Sequence, residues 1–325
     1  MATKTRSTGS DVSLLMAFET GYGTPPDASG GGVFNKMLFA SSTLGEERPL
    51  GEDPLLGQGR NAQDPFYEAA TDDGDIVVPV DLRGFGYWLK LVFGEPVTTD
   101  NLDGTFTHVF EAGKDLPSAF IDIGHVKLTT PKHFQHKGVK ANTLAYNMSR
   151  SGALNATIGL IAQGESLQAE PVDAAPEAFQ LRRFNQTSGS IKVGNTQLGN
   201  VTGGSFSFSN NLDPIETIRN DGLIDGADEA EAKPTGTIDV RFGIDSTLTD
   251  PINAETPVSL SYSHTMPGAE GFLLKWDMPR VFLPKKKPSV SGPGGITASY
   301  DWQAAFDLAE GYTLRVTLKN DVETY

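Results

Sequence analysis

Five histidines, 41 carboxylates and no cysteine limit the chemistry open to this chain of 325 residues. Without Cys there is no disulfide, no thiolate metal site and no cysteine nucleophile, which excludes a secreted disulfide scaffold and fits a reducing or indifferent compartment. His133 and His136 are close in sequence and, with His125, have the ring nitrogens to meet a metal, but their spacing matches no metal-binding pattern. With His108 and His264 they read as solvated or hydrogen-bonded side chains. No Gly-x-Ser-x-Gly elbow anchors a serine nucleophile. Leu56-Gly57-Gln58-Gly59-Arg60 lacks the later Gly and Lys with which a loop surrounds a phosphate, so it reads as a turn. Paired carboxylates abound, yet acid–base chemistry needs one of a pair held in a dry pocket that raises its pKa, and these acids lie in polar loops. The expectation is a protein that is not an enzyme, with no cofactor and no metal.

The elements around these residues are strands. With 36 Gly, 20 Pro and 38% hydrophobic residues, the composition points to many short strands joined by turns, and the length suggests about two domains. Strands are expected over 12–18, 34–41, 105–110, 119–128, 139–146 and 154–161, and over 74–83, where Ile76, Val78, Val80 and Leu82 alternate with the other face. Residues 86–94, bounded by glycines and followed by Pro96, read as a short helix, with a buried strand as the alternative. Between strands, residues 45–73 form a polar loop holding Glu46, Glu47, Arg48, Glu52, Asp53, Arg60, Asp64, Asp72 and Asp73, of a length that compact domains use only for function. An acid-rich Ala/Pro stretch at 166–178 has linker composition and divides a unit at 1–165 from one at 179–325.

The second half then repeats the plan. Strands at 188–193 and 205–209 lead into an acidic loop, 210–234, with Asp213, Glu216, Arg219, Asp221, Asp225, Asp228, Glu229 and Glu231. The strand at 236–243 follows, and its Ile-Asp-Val-Arg echoes Val80-Asp81-Leu82-Arg83. Gly271-Phe272-Leu273-Leu274 echoes residues 119–122, and the closing hairpin at 295–318 echoes that at 138–158. The shared order of strand, long acidic loop, strand and closing hairpin implies two copies of one β-sandwich-like unit. The net charge of −15 repels nucleic-acid backbone and anionic membrane, and no stretch reaches the roughly 18 apolar residues of a membrane span. The acidic loops read as solvated charge, as a calcium site around 225–231, or as a negative lining of a shared space.

Several segments together resemble the tail tube proteins of tailed bacteriophages: Phe18-Glu19-Thr20-Gly21-Tyr22-Gly23-Thr24-Pro25-Pro26, Gly138-Val139-Lys140-Ala141-Asn142-Thr143-Leu144, Ser207-Phe208-Ser209-Asn210-Asn211, and residues 272–284 with the basic turn and Gly295-Ile296-Thr297-Ala298 beyond them. The resemblance covers almost the whole chain. It implies a virion structural protein, made in the bacterial host cytoplasm, whose rings stack into a hollow tube through which the genome passes on ejection. Hairpin arms would join a continuous β-barrel around the lumen, and long loops would meet the next ring. Its partners would be further copies of itself, the tape measure protein, the tail tip and terminator proteins, and DNA passing without specific binding. Two tube units per chain imply a trimeric ring with pseudo-six-fold symmetry; a second half that only decorates implies a hexamer.

On that reading the fold is mainly β, two tandem β-sandwich or barrel-type units with long hairpin arms and one or two short flanking helices. Asp75, Asp81, Arg83, Thr237, Asp239 and Arg241 are candidates for the lumen face, the arginines pairing with carboxylates across strands; a solvated outer strand face is the alternative. Glu46, Glu47, Arg48, Glu52, Asp53, Arg60, Asp72, Asp73, Asp213, Glu216, Arg219, Asp221 and Asp225 are candidates for ring-to-ring contact. Lys285-Lys286-Lys287 reads as a solvated outer turn. The competing class is a carbohydrate-binding or adhesive β-sandwich, a tail fibre or decoration protein, with Trp88, Trp276 and Trp302 as stacking platforms. Burial of all three would count against it.

Overall fold

A computed structural model describes residues 4–57, 59–266, 271–287, 290 and 292–325. The fold is mainly β. The first half runs β1 (Val12–Phe18), β2 (Asn35–Met37), β3 (Ser41–Ser42), β4 (Gly45–Glu47), β5 (Leu50–Gly51), β6 (Phe66–Tyr67), β7 (Thr71–Pro79), α1 (Phe85–Phe93), β8 (Val97–Asp100), β9 (Phe106–Glu111), β10 (Ala119–His125), β11 (Lys132–Met148), β12 (Asn155–Ala162), β13 (Gly164–Gln168) and β14 (Glu177–Ala178). The second runs β15 (Gly189–Val193), β16 (Thr196–Gln197), β17 (Val201–Ser209), β18 (Asp213–Ile215), β19 (Gly226–Asp228), β20 (Lys233–Arg241), α2 (Thr249–Ala254), β21 (Val258–Thr265), β22 (Leu273–Phe282), β23 (Thr297–Ala304) and β24 (Arg315–Asn320).

One antiparallel pairing pattern is traced twice. In the first half β1, β10, β11 and β13 form one ladder, while β3 and β4, then β7, β12 and the far half of β11 form another. In the second, β15, β21, β22 and β24 correspond to the first ladder, and β17, β20, β23 and the end of β22 to the other. A 3-10 turn precedes β1 and another precedes β15, and α1 and α2 each follow the strand that closes a long hairpin. The 17-residue β11 serves both ladders of its half because a bulge between Ala141 and Thr143 lets it bend from one into the other.

The halves are not separable bodies. β11 pairs with β17 from Thr143↔Ser209 to Met148↔Gly204, so one sheet continues from β4 through β7, β12, β11, β17 and β20 to β23. The β8–β9 hairpin of the first half docks on β24 of the second. A single apolar cluster includes Leu14, Ile158, Phe206, Trp276 and Leu318. Residues 166–178 are tied into this body too: β13 reaches Gln168, β14 pairs with β2, and the Asp173 carboxylate accepts the Val33 and Phe34 amides.

Residues 85–93 are helical, as the flanking glycines predict. Gly94, with φ of 86°, takes a positive-φ conformation that ends the helix, and its N–H closes the last helical bond to the Lys90 carbonyl. The helix is apolar nearly all round because it lies inside the molecule, with Phe93 packed on Phe208 and Trp276. Trp88, Trp276 and Trp302 are 1%, 1% and 2% exposed.

Candidate assembly surfaces

The continuous sheet has two chemically different faces. Cross-strand register puts Ile76, Ile158, Leu144 and Phe208 on the inner face, and Val78, Ala156, Tyr146, Phe206, Gly236 and Trp302 beside them. On the other face lie Asp75, Gly159, Thr143, Ser209 and Lys233 in one row, and Asn147, Ser205, Thr237 and Asp301 in another. Asp239 and Ser299 extend this surface along β20 and β23. Small hydroxyl side chains recur on it, at Thr143, Ser205, Ser209, Thr237 and Ser299, and one pair of them, Ser205 and Thr237, hydrogen-bonds across strands at 2.9 Å. Gly159 is enclosed here, because a Cβ would stand 2.3 Å from Thr143 Oγ1 and 3.1 Å from Asp75 Oδ1. Alternation produces both faces, since successive residues of a strand point to opposite sides.

Both acidic loops are long hairpins at one end of this sheet. The first is held at its base by Gly45↔Asp73, Glu46↔Asp72 and Glu47↔Thr71, and further out by β5 with β6. The second connects β17 to β20 and is braced by β18 with β19. They touch where the Ala70 N–H donates to the Gly222 carbonyl. At the second base, Asn210 donates to the Val92 and Ala141 carbonyls, which locks the hairpin to the end of α1 and to β11. Glu52, Asp53, Arg60, Asp213 and Glu216 are exposed.

The segments that carry the resemblance meet in space. The Glu19 carboxylate accepts the Gly138 N–H at 2.8 Å, the Gly23 N–H at 2.8 Å and the Ser118 hydroxyl at 2.5 Å. Gly138, at φ 63°, leaves room for the Tyr22 ring, which a Cβ would approach to 2.9 Å. Burial pushes the Glu19 carboxyl upward, against the lowering effect of these donors.

A family model described as phage tail tube protein matches residues 9–304. The chain belongs to the phage tail tube protein family. No curated protein matches it. Family membership makes it a structural component of the virion that assembles with itself into a tail tube and implies a non-enzymatic role. No helix among the described residues is long and apolar enough to cross a membrane.

In this tail tube protein Asp75, Thr237, Asp239 and Arg241 share the hydroxyl-rich face of the sheet, whereas Asp81 and Arg83 do not. β7 ends at Pro79, and the following residues pair elsewhere: Asp81 bridges Arg183, the Leu82 N–H donates to the Arg182 carbonyl, and the Phe184 N–H donates to the Val80 carbonyl, so Val80-Asp81-Leu82-Arg83 does not extend the polar face of that strand. Asp81 is buried, and its carboxylate accepts the Arg83 and Gly84 amides at 3.1 and 2.9 Å just before α1. Arg83 forks onto Asp321, at 2.9 and 2.6 Å, near the end of the chain. Neither faces an open surface of the sheet.

Among the hairpin candidates Asp72 is buried, its carboxylate 3.0 Å from His136 Nδ1, and so cannot reach another ring. Glu46 exchanges backbone-to-carboxylate hydrogen bonds with Glu165 and pairs with Arg48 at 2.8 Å. Arg219 is held inside its own hairpin by Asp221 at 2.8 Å and Asp225 at 2.7 Å, and this pairing brings Asp221 down to about 2. Asp73 is exposed on β7.

The histidines are hydrogen-bonded in four cases: His108 to Thr98, Asn320 and the Val322 carbonyl, His125 to Ser7, His133 to Asp122, and His136 to Asp72. No cluster of three or more metal-ligating side chains occurs among the described residues. Lys286 pairs with Asp301 at 2.5 Å, so part of the basic turn lies against the edge of the polar face. Thr143, Ser205 and Asp301 on that face were not singled out by sequence. The alternation Ser205-Phe206-Ser207-Phe208-Ser209 is the signal that marks it.

Proposed function

We propose that three copies of this chain close into a ring, that rings stack head to tail into the tail tube, and that the genome passes along a lumen lined by the hydroxyl-rich sheet face. The supporting observation is the continuous antiparallel sheet from β4 to β23, apolar on one side and carrying Asp75, Thr237 and Asp239 on the other. A chain holding two equivalent sets of ladders supplies two-sixths of a pseudo-six-fold ring, and this favours a trimer over a hexamer. Among the described residues Thr297–Asp301 of β23 pair with β20 on one side only, which leaves that edge for a strand from the neighbouring copy. Barrel closure removes such edges, which otherwise invite indiscriminate pairing. On this lining Asp75, Asp239 and Asp301 outnumber Lys233 and Arg241, so DNA meets no net positive array and is not held by counterion release. The exposed hairpin tips are left to meet the next ring, and the tape measure, tip and terminator proteins are the partners at the ends of such a tube.

The carbohydrate-binding alternative loses its platforms, because a tryptophan 1–2% exposed cannot stack on a sugar. Negative-stain electron microscopy of the purified protein over a concentration series tests the tube reading, with end-on views expected to show hollow rings. Native mass measurement of single rings is expected to give three chains. Six chains per ring would overturn the duplicated-unit stoichiometry, and compact monomers at every concentration would overturn self-assembly without an initiator.

A further inference from the structure

A cleft of about 400 Å³ opens at the end of the sheet opposite the two hairpins, between β15 and the start of β17. Its lining includes Ile191 and Leu198 on the apolar side, and Ser190, His264 and Arg150 on the polar side. None of its lining residues is acidic, in a chain with 41 acids. His264 is 2% exposed, with the Asn185 backbone beside its ring, and Ser190 Oγ has no hydrogen-bond partner among the described residues. Buried polar groups left open cost about 1–3 kcal/mol each, so an unpaired hydroxyl lining a cleft marks a place where a partner is missing.

The repeat sharpens this point. His264 stands opposite Gly189, the first residue of β15, just as His125 stands opposite Val12, the first residue of β1. In the first half the equivalent ring is satisfied from within the chain, by Ser7 Oγ at 2.7 Å. In the second half no side chain among the described residues takes that place, and the ring has only the Asn185 backbone beside it.

We propose that this cleft is the socket for the tip of the second long hairpin, residues 216–218, of another copy of the chain. The inference rests on the stacked-ring reading and assigns its contact. β17 runs from Val201 at the cleft to Ser209 at the hairpin base, and nine strand residues span about 30 Å. Tip and cleft therefore lie at opposite ends of one element, the arrangement that a head-to-tail stack requires. The tip offers what the cleft lacks: Ile218 is fully exposed at 108%, Glu216 is exposed two residues away, and Glu216 takes part in none of the ion pairs among the described residues. Arg219, bonded to Asp221 and Asp225, holds the tip in shape before docking, which lowers the ordering cost of association. The isoleucine matches Ile191 and Leu198, and the carboxylate matches Arg150 and His264.

The chain has no cysteine, so disulfide trapping is clean. Ile218→Cys combined with Thr187→Cys at the cleft is expected to give, on oxidation of assembled tubes, a ladder of covalent oligomers on a non-reducing gel, with neither single variant exceeding a dimer. Tubes of normal appearance without a ladder would overturn the socket and leave the stacked-ring reading standing, whereas absence of tubes in the parent would overturn that reading itself. As a second measurement, Arg150→Glu and Glu216→Arg are each expected to raise the concentration needed for assembly about tenfold, and their combination to restore it. No recovery in the double variant would overturn the pairing.

Discussion

Asp81 shows how one carboxylate changes role with its surroundings. An acid within an alternating stretch reads as part of a polar strand face, yet here it closes the turn before α1 by accepting two amides. Asp81→Ala is expected to destabilise the fold by about 1–3 kcal/mol, because two donors lose their acceptor. Asp81→Asn, which keeps one carbonyl oxygen, is expected to cost less, and thermal denaturation of both variants checks the order. The buried histidines carry a pH dependence. Burial lowers both His108 and His264 from the ordinary value of 6.5, so the folded state favours the neutral ring. The unfolded chain then binds protons first as pH falls, and this stability is complete above pH 6.5 and declines below it. Melting temperature is expected to drop between pH 7.5 and about 5.5, and to drop less in His264→Leu. An equal drop in that variant would remove His264 from the explanation.

At the scale of elements, the inner face of the continuous sheet is set by close approach between aromatic residues and small ones. Gly236 on β20 sits between Phe206 of β17 and Trp302 of β23. A Cβ there would come within 2.1 Å of the Ser205 carbonyl and 2.6 Å of the Trp302 ring. Gly236→Ala is therefore expected to overpack the junction by about 1–3 kcal/mol, read as a fall in the denaturant midpoint with unchanged slope. This position lies next to the β11–β17 seam that joins the halves, where Tyr146, Phe206 and Trp276 pack together. The helix α1 serves the same seam from inside. Its apolar surface fills the space between the ladders, and Asn210 ties its last turn to the second hairpin.

The whole molecule has two charged ends of different character and one polar face between them. The hairpin end bears most of the acids proposed for ring contact, and the cleft end bears Arg150, whose cleft has no acidic lining residue. On the proposed lumen face, Asp75→Lys with Asp239→Lys is expected to leave tube morphology intact and to slow DNA release from virions, since two acids per chain become cations beside Lys233 and Arg241 and turn the whole channel net positive. Release kinetics unchanged in morphologically normal particles would remove this face from the lumen. Asp81 has no place in that variant because it is buried within the protomer.

The strand-rich class, the short helix between glycines, both acidic hairpins and the family resemblance were legible in the sequence, because alternation, glycine at a helix end and turn composition are local properties. The order of the repeat was legible as well, but its residue echoes fall on the wrong strands. Val80-Asp81-Leu82-Arg83 lies beyond β7 whereas its counterpart lies within β20, and the closing hairpin of β11 and β12 was matched to β23 and β24, although pairing aligns β23 with β12 and β24 with β13. Short alternating strands resemble one another whatever their place in a sheet, so only the ladders identify equivalents. Tertiary structure also decided which acids are surface and which are structural. Asp72 and Asp75 are three residues apart in one strand, and one meets a buried histidine while the other faces outward. Sequence determined which residues alternate along each strand; the partner strands and the segments packed over them decided which face is core and which side chains are left for another molecule.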